Sequence, residues 1–356
     1  RLVDQVDVRG PITREYRAIL DRPALEGFAE RVRAVVAADP AARLSVHVEG
    51  TARKAIDARA CGVAFALEPG KGFYVPLIHR YLGAPKQVSW DDLRAVMGPV
   101  LEDPQIPKVG HDLKYSLEML SLGGITLRGL AFDSLLASYL LDPEAPNDLR
   151  DLANTNLSVQ KVAYDKVTHK DALRRGHQLE FDEVPIEDAT AYAAEIPDLA
   201  RELCEKLAPS LDVAGMTGLL RDMEIPLTEV LATVELVGVK IDESRMRGLA
   251  TDVDVQVKEL EERARRIVRE ALGDTAQADQ IARDFNCGSP KQVEHVLFDV
   301  LKLPVLKRTK TSRSTDADVL EELADQHELP AAILEHRVLV KLKGTYLDAL
   351  PKLVSP

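Results

Sequence analysis

Leu44-Ser-Val-His-Val48, Gly62-Val-Ala-Phe-Ala-Leu67 and Phe73-Tyr-Val-Pro-Leu77 are the stretches whose reading decides the fold. Each is short and rich in Val, Leu, Ile or Phe, as β-strands are. Ile125–Leu130 has the same character and is predicted as a further strand. Helical signals lie around them. Ser89, before Trp90-Asp-Asp92, reads as an N-cap with acidic residues in the first turn, and Leu93, Val96, Val100 and Leu101 follow at helical spacing. Further helices are predicted over Leu113–Leu122, Ser134–Leu141 and Ile186–Leu207. Strands alternating with helices predict an α/β domain, placed over residues 1–212. Within it, Asp142–Val184 mixes Pro, Asn, Gly and charge, and reads as surface loops and small helices around Leu149–Leu157.

Strand signals then fade, and residues 213–356 read as mainly helical. Pro226 suits a first helical turn, the apolar pattern runs to Val237, and Gly238 supplies a left-handed cap. Asp242 caps a long helix in which Met246, Leu249, Val253, Val257, Leu260, Ala264, Ile267 and Ala271 recur at steps of three and four. Gly273 ends it. That spacing, close to 3.5 residues, predicts an antiparallel helical partner. The segment Ala331–Leu350 is chosen for it, with Leu334, Val338, Leu342 and Leu347 on the packed side.

Composition narrows the class. The chain has 356 residues, 46% apolar and 29% charged, with 20 Gly and 20 Pro, which excludes collagenous and disordered proteins and predicts two domains. The longest apolar runs fall far short of the roughly 18 residues of a membrane span, so no membrane partner is expected. Cys61, Cys204 and Cys287 lie far apart without CxxC spacing, which argues against disulfides and zinc and for a cytoplasmic setting. Arg1–Arg9 has no apolar run and reads as a boundary inside a longer protein. Nothing in the sequence demands more than a monomer.

The formal charge is −12, so any contact with nucleic acid must be local. One segment qualifies. Lys302, Lys307, Arg308, Lys310 and Arg313 come within twelve residues without an acid, interleaved with Thr309, Thr311 and Ser312. Lys and Arg neutralise phosphates and hydroxyls bond to their oxygens, so the segment suits sequence-independent backbone contact, against the plainer reading of a solvated loop. Just before it, Ser289-Pro-Lys-Gln292 reads as a helix start with a capping box, Ser289 as N-cap and Gln292 closing it.

From about Arg43 to Pro356 the chain resembles the family A DNA polymerases of the bacterial DNA polymerase I type. The resemblance rests on Lys108-Val-Gly-His-Asp-Leu-Lys-Tyr115, Leu130-Ala-Phe-Asp-Ser-Leu-Leu-Ala-Ser-Tyr139, Tyr192-Ala-Ala-Glu195, Glu224-Ile-Pro-Leu227 and Gly238-Val-Lys-Ile-Asp242. Ser289-Pro-Lys-Gln292, Lys310-Thr-Ser-Arg-Ser-Thr315 and Lys341-Leu-Lys-Gly-Thr-Tyr346 continue the series in the family's order. It implies a ribonuclease H-like 3'–5' exonuclease domain, a mixed sheet flanked by helices, over residues 1–212. A mainly α-helical thumb and the start of the polymerase domain would follow over 213–356. The palm and fingers motifs, with their Mg²⁺, would begin after the point matching Val354-Ser355-Pro356. The resemblance thus implies part of a DNA polymerase of replication and repair, cytoplasmic and nucleoid-associated, with neither polymerase nor exonuclease activity in this chain.

In active members, carboxylates from three motifs hold two divalent metals and a Tyr orients the attacking water. By the resemblance, the Asp-x-Glu motif falls on His47-Val-Glu49, the second Asp on Ser116, and the Tyr and last Asp on Tyr192 and Ile196. Of four carboxylates only Glu49 remains, so no metal is expected in this chain. The rival is an exonuclease with relocated ligands from His47, Glu49, Asp112 and Asp198; another is a stand-alone DNA-binding protein. His47 also reads as a plain structural histidine. For the thumb, the resemblance implies contacts to duplex primer-template DNA. These fall on Asn286, Ser289, Lys291, Gln292, Lys307, Arg308, Lys310, Thr311, Arg313, Ser314, Thr315, Lys341, Lys343, Thr345 and Tyr346, with helix capping the alternative for Ser289 and Thr315.

Overall fold

Six strands form one mixed sheet in a computed structural model that describes residues 12–171 and 177–354. Arg1–Arg9 and Ser355-Pro356 lie outside the described residues. The strands are β1 (Glu15–Ala18), β2 (Leu44–Gly50), β3 (Ala60–Glu68), β4 (Lys71–Pro76), β5 (Lys108–Gly110) and β6 (Leu130–Asp133), in the order β1-β4-β3-β2-β5-β6. β2, β3 and β4 form an antiparallel meander, while β1 pairs β4, and β5 pairs both β2 and β6, in parallel. Helices α1 (Arg22–Ala38), α2 (Trp90–Leu101) and α3 (Leu113–Leu122) carry Phe28, Val32, Met97 and Leu120 into one core with Val46, Val48 and Phe65 of the sheet. Helices α4 (Ser134–Leu141), α5 (Leu149–Leu157), α6 (Tyr164–Val167), α7 (Ile186–Ala193) and α8 (Glu195–Ala214) add two further apolar clusters.

Most predicted elements form, and the departures have physical reasons. Ile125–Leu130 is not a strand: Ile125 and Leu127 are buried, but the Thr126 and Arg128 N–H groups bond to the Glu102 side chain and the Leu101 carbonyl. Gly129, at φ +73°, then turns the chain into β6. Ile186–Leu207 divides into α7 and α8 at Ala194. Pro197 explains the break, since it lacks the N–H that would reach the Ala193 carbonyl and its ring crowds that oxygen. Helix α1 and strand β1 had no place in the sequence reading. Yet Asp21 caps α1 by accepting from the Ala24 N–H at 2.9 Å, and Leu25, Phe28, Ala29 and Val32 form its buried stripe.

The chain forms two compact units, Arg1–Gly238 and Val239–Pro356. Residues 213–238, assigned on sequence to the second domain, fall in the first unit. There the turn α9 (Thr217–Leu219) leads to α10 (Ile225–Val237), which packs on α3, and Lys114 Nζ meets Glu235 Oε1 at 2.5 Å.

In the second unit, α11 (Glu243–Leu272) begins at Asp242, which accepts from the Arg245 N–H at 2.9 Å, and ends at Gly273. The helices α12 (Ala276–Asp284), α13 (Pro290–His295), α14 (Ala317–Ala324) and α15 (Glu328–Leu342) follow. α15 is the packed partner of α11, but through Leu329, Ile333 and His336. Val338 and Leu342, predicted on that side, are exposed, whereas Leu334 packs half-buried against the core and Leu347 is buried. Ile333 and His336 keep helical spacing with Leu329, so the packed stripe is rotated from the predicted one.

Asp133, at the end of β6, is fully buried and accepts three backbone N–H groups, from Asp112 (3.2 Å), Leu113 (2.7 Å) and Leu135 (2.9 Å). Asp133→Ala would leave donors at the starts of both α3 and α4 unpaired. The expected loss of unfolding free energy is about 2–4 kcal/mol, read by urea denaturation of the first unit's transition. A loss under about 1 kcal/mol would contradict this role.

Candidate functional site

Strand alternation builds the first candidate site. Leu44, Val46 and Val48 enter the core, so His47 and Glu49 share the opposite face of β2. Their side chains meet, His47 Nε2 to Glu49 Oε2, at 3.1 Å. Gly62 of β3 stands opposite Glu49, where a Cβ would overlap the Tyr74 ring, so the close packing beside Glu49 requires glycine. Ser116 of α3 is buried and its hydroxyl accepts the Val48 N–H at 3.1 Å, bracing β2 between the two site residues.

Tyr192 of α7 lies 5.7 Å from the Tyr164 ring and 5.7 Å from that of Phe181, and Lys161 Nζ stands 3.7 Å from its centroid. Burial, reinforced by Glu49, raises the Tyr192 phenol far above its ordinary range. Glu195 is buried and accepts the Val162 N–H at 2.9 Å. Burial raises its carboxyl, opposed by that bond and by Lys161. Ile196 faces away into an apolar cluster with Val109, Phe132 and Leu199.

These residues do not fit a pair of divalent ions. Of the positions aligned by resemblance, Ser116 spends its hydroxyl on β2 and Ile196 lies in apolar core, which leaves one carboxylate, Glu49, already paired with His47. The alternative ligands do not converge on it. Asp198 is fully buried but accepts from the Gly70 N–H (2.8 Å), Tyr16 Oη (2.9 Å) and Arg14 (2.5 Å), which ties it to the β1 edge. Asp112 sits at φ 55° with its backbone held by Asp133. Among the described residues no three His, Cys, Asp or Glu side chains form a metal-holding group.

The basic segment of the second unit forms a tight tip. Arg308 bridges Arg313, the Thr309 N–H reaches the Ser312 carbonyl at 2.8 Å, and the Ser314 N–H reaches the Lys307 carbonyl at 2.9 Å. Lys310 and Thr311 are left exposed at its apex. Arg313 turns inward: its guanidinium bonds Asp299 through two nitrogens at 2.7 Å, meets Glu294 at 2.8 Å and covers the Phe298 ring. Those bonds hold Asp299 well below the usual carboxylate range.

Ser314 and Thr315 are buried, and the Thr315 carbonyl accepts from Arg337 at 2.6 Å; Thr315 is not a cap, since Asp316 precedes α14. The predicted capping box does not form. Ser289 makes no side-chain cap bond, while Gln292 Oε1 accepts the Asn286 N–H at 2.7 Å and Asn286 Oδ1 accepts that of Gly288 at 2.7 Å. Lys343 pairs with Asp348 at 2.8 Å and Asp254 at 3.6 Å. Lys307 meets Asp316 loosely at 3.6 Å. Lys291, Arg308, Lys310, Lys341, Thr345 and Tyr346 are exposed.

The family described as 3'-5' exonuclease matches residues 16–212, and that described as DNA polymerase family A matches residues 254–356. The chain belongs to the family A DNA polymerases. A DNA polymerase I of Pseudomonas aeruginosa is 35% identical over 96% of this chain and 36% of its own length. One of Geobacillus stearothermophilus is 36% identical over 83% of the chain and 30% of its own length. The chain thus spans about a third of these curated relatives. A solved structure, the POL domain of Pol1 from M. smegmatis in complex with DNA primer-template and dNTP, matches 95% of this chain and 50% of its own, at a TM-score of 0.68 and 28% identity.

Within this family A chain, sequence reasoning missed the residues that pack on Tyr192 and Glu195 from a distance. Lys161, Val162 and Tyr164 come from the segment read as surface, and no local pattern marks them. His111, within the Lys108–Tyr115 stretch, carries no role that its local sequence discloses. Its Nδ1 lies 3.0 Å from Ser134 Oγ, which donates to the Gly110 carbonyl at 3.1 Å, so His111 Nδ1–H is the donor. Burial, with repulsion from His47 adding, lowers its pKa to about 4. The folded chain therefore holds His111 neutral where the unfolded chain takes up a proton, and this contribution to stability is lost as pH falls from about 6.5 through 4. In an NMR titration the His111 ring should stay neutral to about pH 4; titration near 6.5 would contradict its burial.

Proposed function

We propose that the exonuclease-like unit is a folded platform that no longer cleaves DNA, with no resident divalent cofactor. The helical unit acts as a thumb that holds primer-template duplex through its phosphates, within a longer polymerase of replication and repair. The observation that carries the first half is the ligand set. Two divalent ions a few ångströms apart need several surrounding carboxylates, and Glu49 alone, bonded to His47, cannot offset their repulsion. Incubating the full chain with 3'-labelled single-stranded DNA and Mg²⁺ or Mn²⁺ should release no nucleotide. Release that depends on metal and disappears in Glu49→Gln would overturn this reading and revive relocated ligands.

The second half is supported by the tip, whose apex presents Lys310 and Thr311 beside Arg308 and Lys307 on a frame closed by backbone bonds. It is also supported by the similarity to a polymerase domain solved with DNA primer-template. Exposed Lys and Arg displace counterions from the duplex backbone, whereas Arg313 serves by bracing the tip. Replacing Lys307, Arg308 and Lys310 with Gln should weaken duplex binding and flatten the plot of log K against log salt by about 2 to 3 in slope. A slope equal to that of the unaltered chain would remove the tip from the DNA interface.

A further inference from the structure

Helix α10 buries only one of its faces. Ile225, Thr228 and Ala232 are buried, Ala232 within the core that α3 lines. Leu227, Val230, Val234 and Val237 recur at steps of three, four and three, which sets them within about 80° of one another on the side away from those residues. All four are exposed, Val230 by 57% and Val234 by 56%. Leu231 borders the row, and Met223, four residues before Leu227, extends it; both are exposed. A helix that is apolar all round is normally covered all round, and a contiguous exposed apolar row marks an interaction surface. Steps of three and four, averaging 3.5 residues, are those of a seam against which a second helix packs.

The charges around the row select the partner. Asp222–Val239 holds four acids, Asp222, Glu224, Glu229 and Glu235, and no base. Asp222 bonds Arg221 and Glu235 bonds Lys114, whereas the Glu224 and Glu229 carboxylates make no ion pair among the described residues. A second copy of α10 would set acids against acids whichever way the two helices ran, which disfavours self-pairing. We infer that this row is the seat of an amphipathic helix with basic flanks, supplied by the polymerase portion of the longer protein. The chain matches 50% of a solved polymerase domain and 36% of a curated relative, so each carries at least as much chain again from which such a helix can come. The polymerase family match begins at residue 254, soon after α10, so a helix on the same polypeptide meets the row at high effective concentration. The inference rests on the reading that the chain is part of a longer polymerase, and it adds the surface on which the remaining portion docks.

The test follows maleimide alkylation of Val234→Cys by peptide mass spectrometry, in the 356-residue chain and in the longer polymerase. In the 356-residue chain the introduced thiol should react about as fast as one at Glu30→Cys, a position exposed on α1. In the longer polymerase it should react at least tenfold more slowly, with the rate at Glu30→Cys unchanged. Adding Glu224→Lys and Glu229→Lys should raise the Val234→Cys rate severalfold in the longer polymerase, by setting like charge against the basic flanks, and leave it unaltered in the 356-residue chain. Should Val234→Cys disturb the helix, Val237→Cys, in the same row, carries the measurement. Equal rates in the two chains would overturn the inference. So would protection already present in the 356-residue chain, whether by self-association seen in sedimentation or by another of its segments, and so would a protected thiol indifferent to the two Glu→Lys changes. A longer protein that fails to extend a primer would instead overturn the reading beneath it.

Discussion

The buried carboxylate of Asp133 is the constraint on which the first unit's site depends. It takes the N–H groups of Asp112, Leu113 and Leu135, so one side chain fixes where α3 and α4 start relative to β5 and β6. Burial raises its pKa to about 6 even though three donors favour the charged form, so desolvation is the larger effect. The position of α3 then determines where Ser116 stands, and Ser116 determines the backbone of β2 through the Val48 N–H. His47 and Glu49 are held in place by that chain of bonds. None of these bonds runs through a metal.

The frame also accommodates residues other than carboxylates at three of the positions aligned by the resemblance, His47, Ser116 and Ile196. A metal pair balances charge that a cluster of carboxylates would otherwise leave exposed to itself. With Ser116 and Ile196 at two of the positions aligned by the resemblance, the charge to balance there is small, and Glu49 has a hydrogen-bond partner in His47. Ile196 goes further than removing a ligand. It joins Val109 and Leu199 in apolar core, so restoring a carboxylate there would bury a charge against side chains that offer no donor.

What the sequence made legible follows the range of the interactions. The meander strands, α2, α3, α4 and α11 carry local signals, either alternation or a cap followed by a periodic stripe, and they fold as read. Ile125 and Leu127 misled because burial and strand pairing are separate properties: a loop pressed against the core is as apolar as a strand. On α15, Leu334 packs as predicted, but Val338 and Leu342 make as good a stripe as Leu329 and Ile333, and only the packing neighbours select between them. The candidate positions His47, Glu49, Ser116, Tyr192 and Ile196 come from motif order. Lys161 and Val162 do not, since their meaning comes from residues some thirty positions away. Gln292 shows the same limit at short range, reaching past Ser289 to the Asn286 N–H where a capping box was equally consistent with the residues.

At the tip of the helical unit, composition and geometry answer different questions. Five basic residues within twelve suggest a uniformly cationic loop, but a loop of like charges with no internal partner would splay. Arg313 resolves the conflict by turning inward, where Glu294 and Asp299 accept its guanidinium and Phe298 lies beneath it. A planar fork of donors is suited to that bracing in a way that a lysine ammonium is not. The remaining cations are thereby presented on a closed turn held by backbone bonds, which leaves them less conformational freedom to lose in any contact they make. Glu294 and Asp299, the two acids beside a basic segment, are therefore the groups that give the turn its shape.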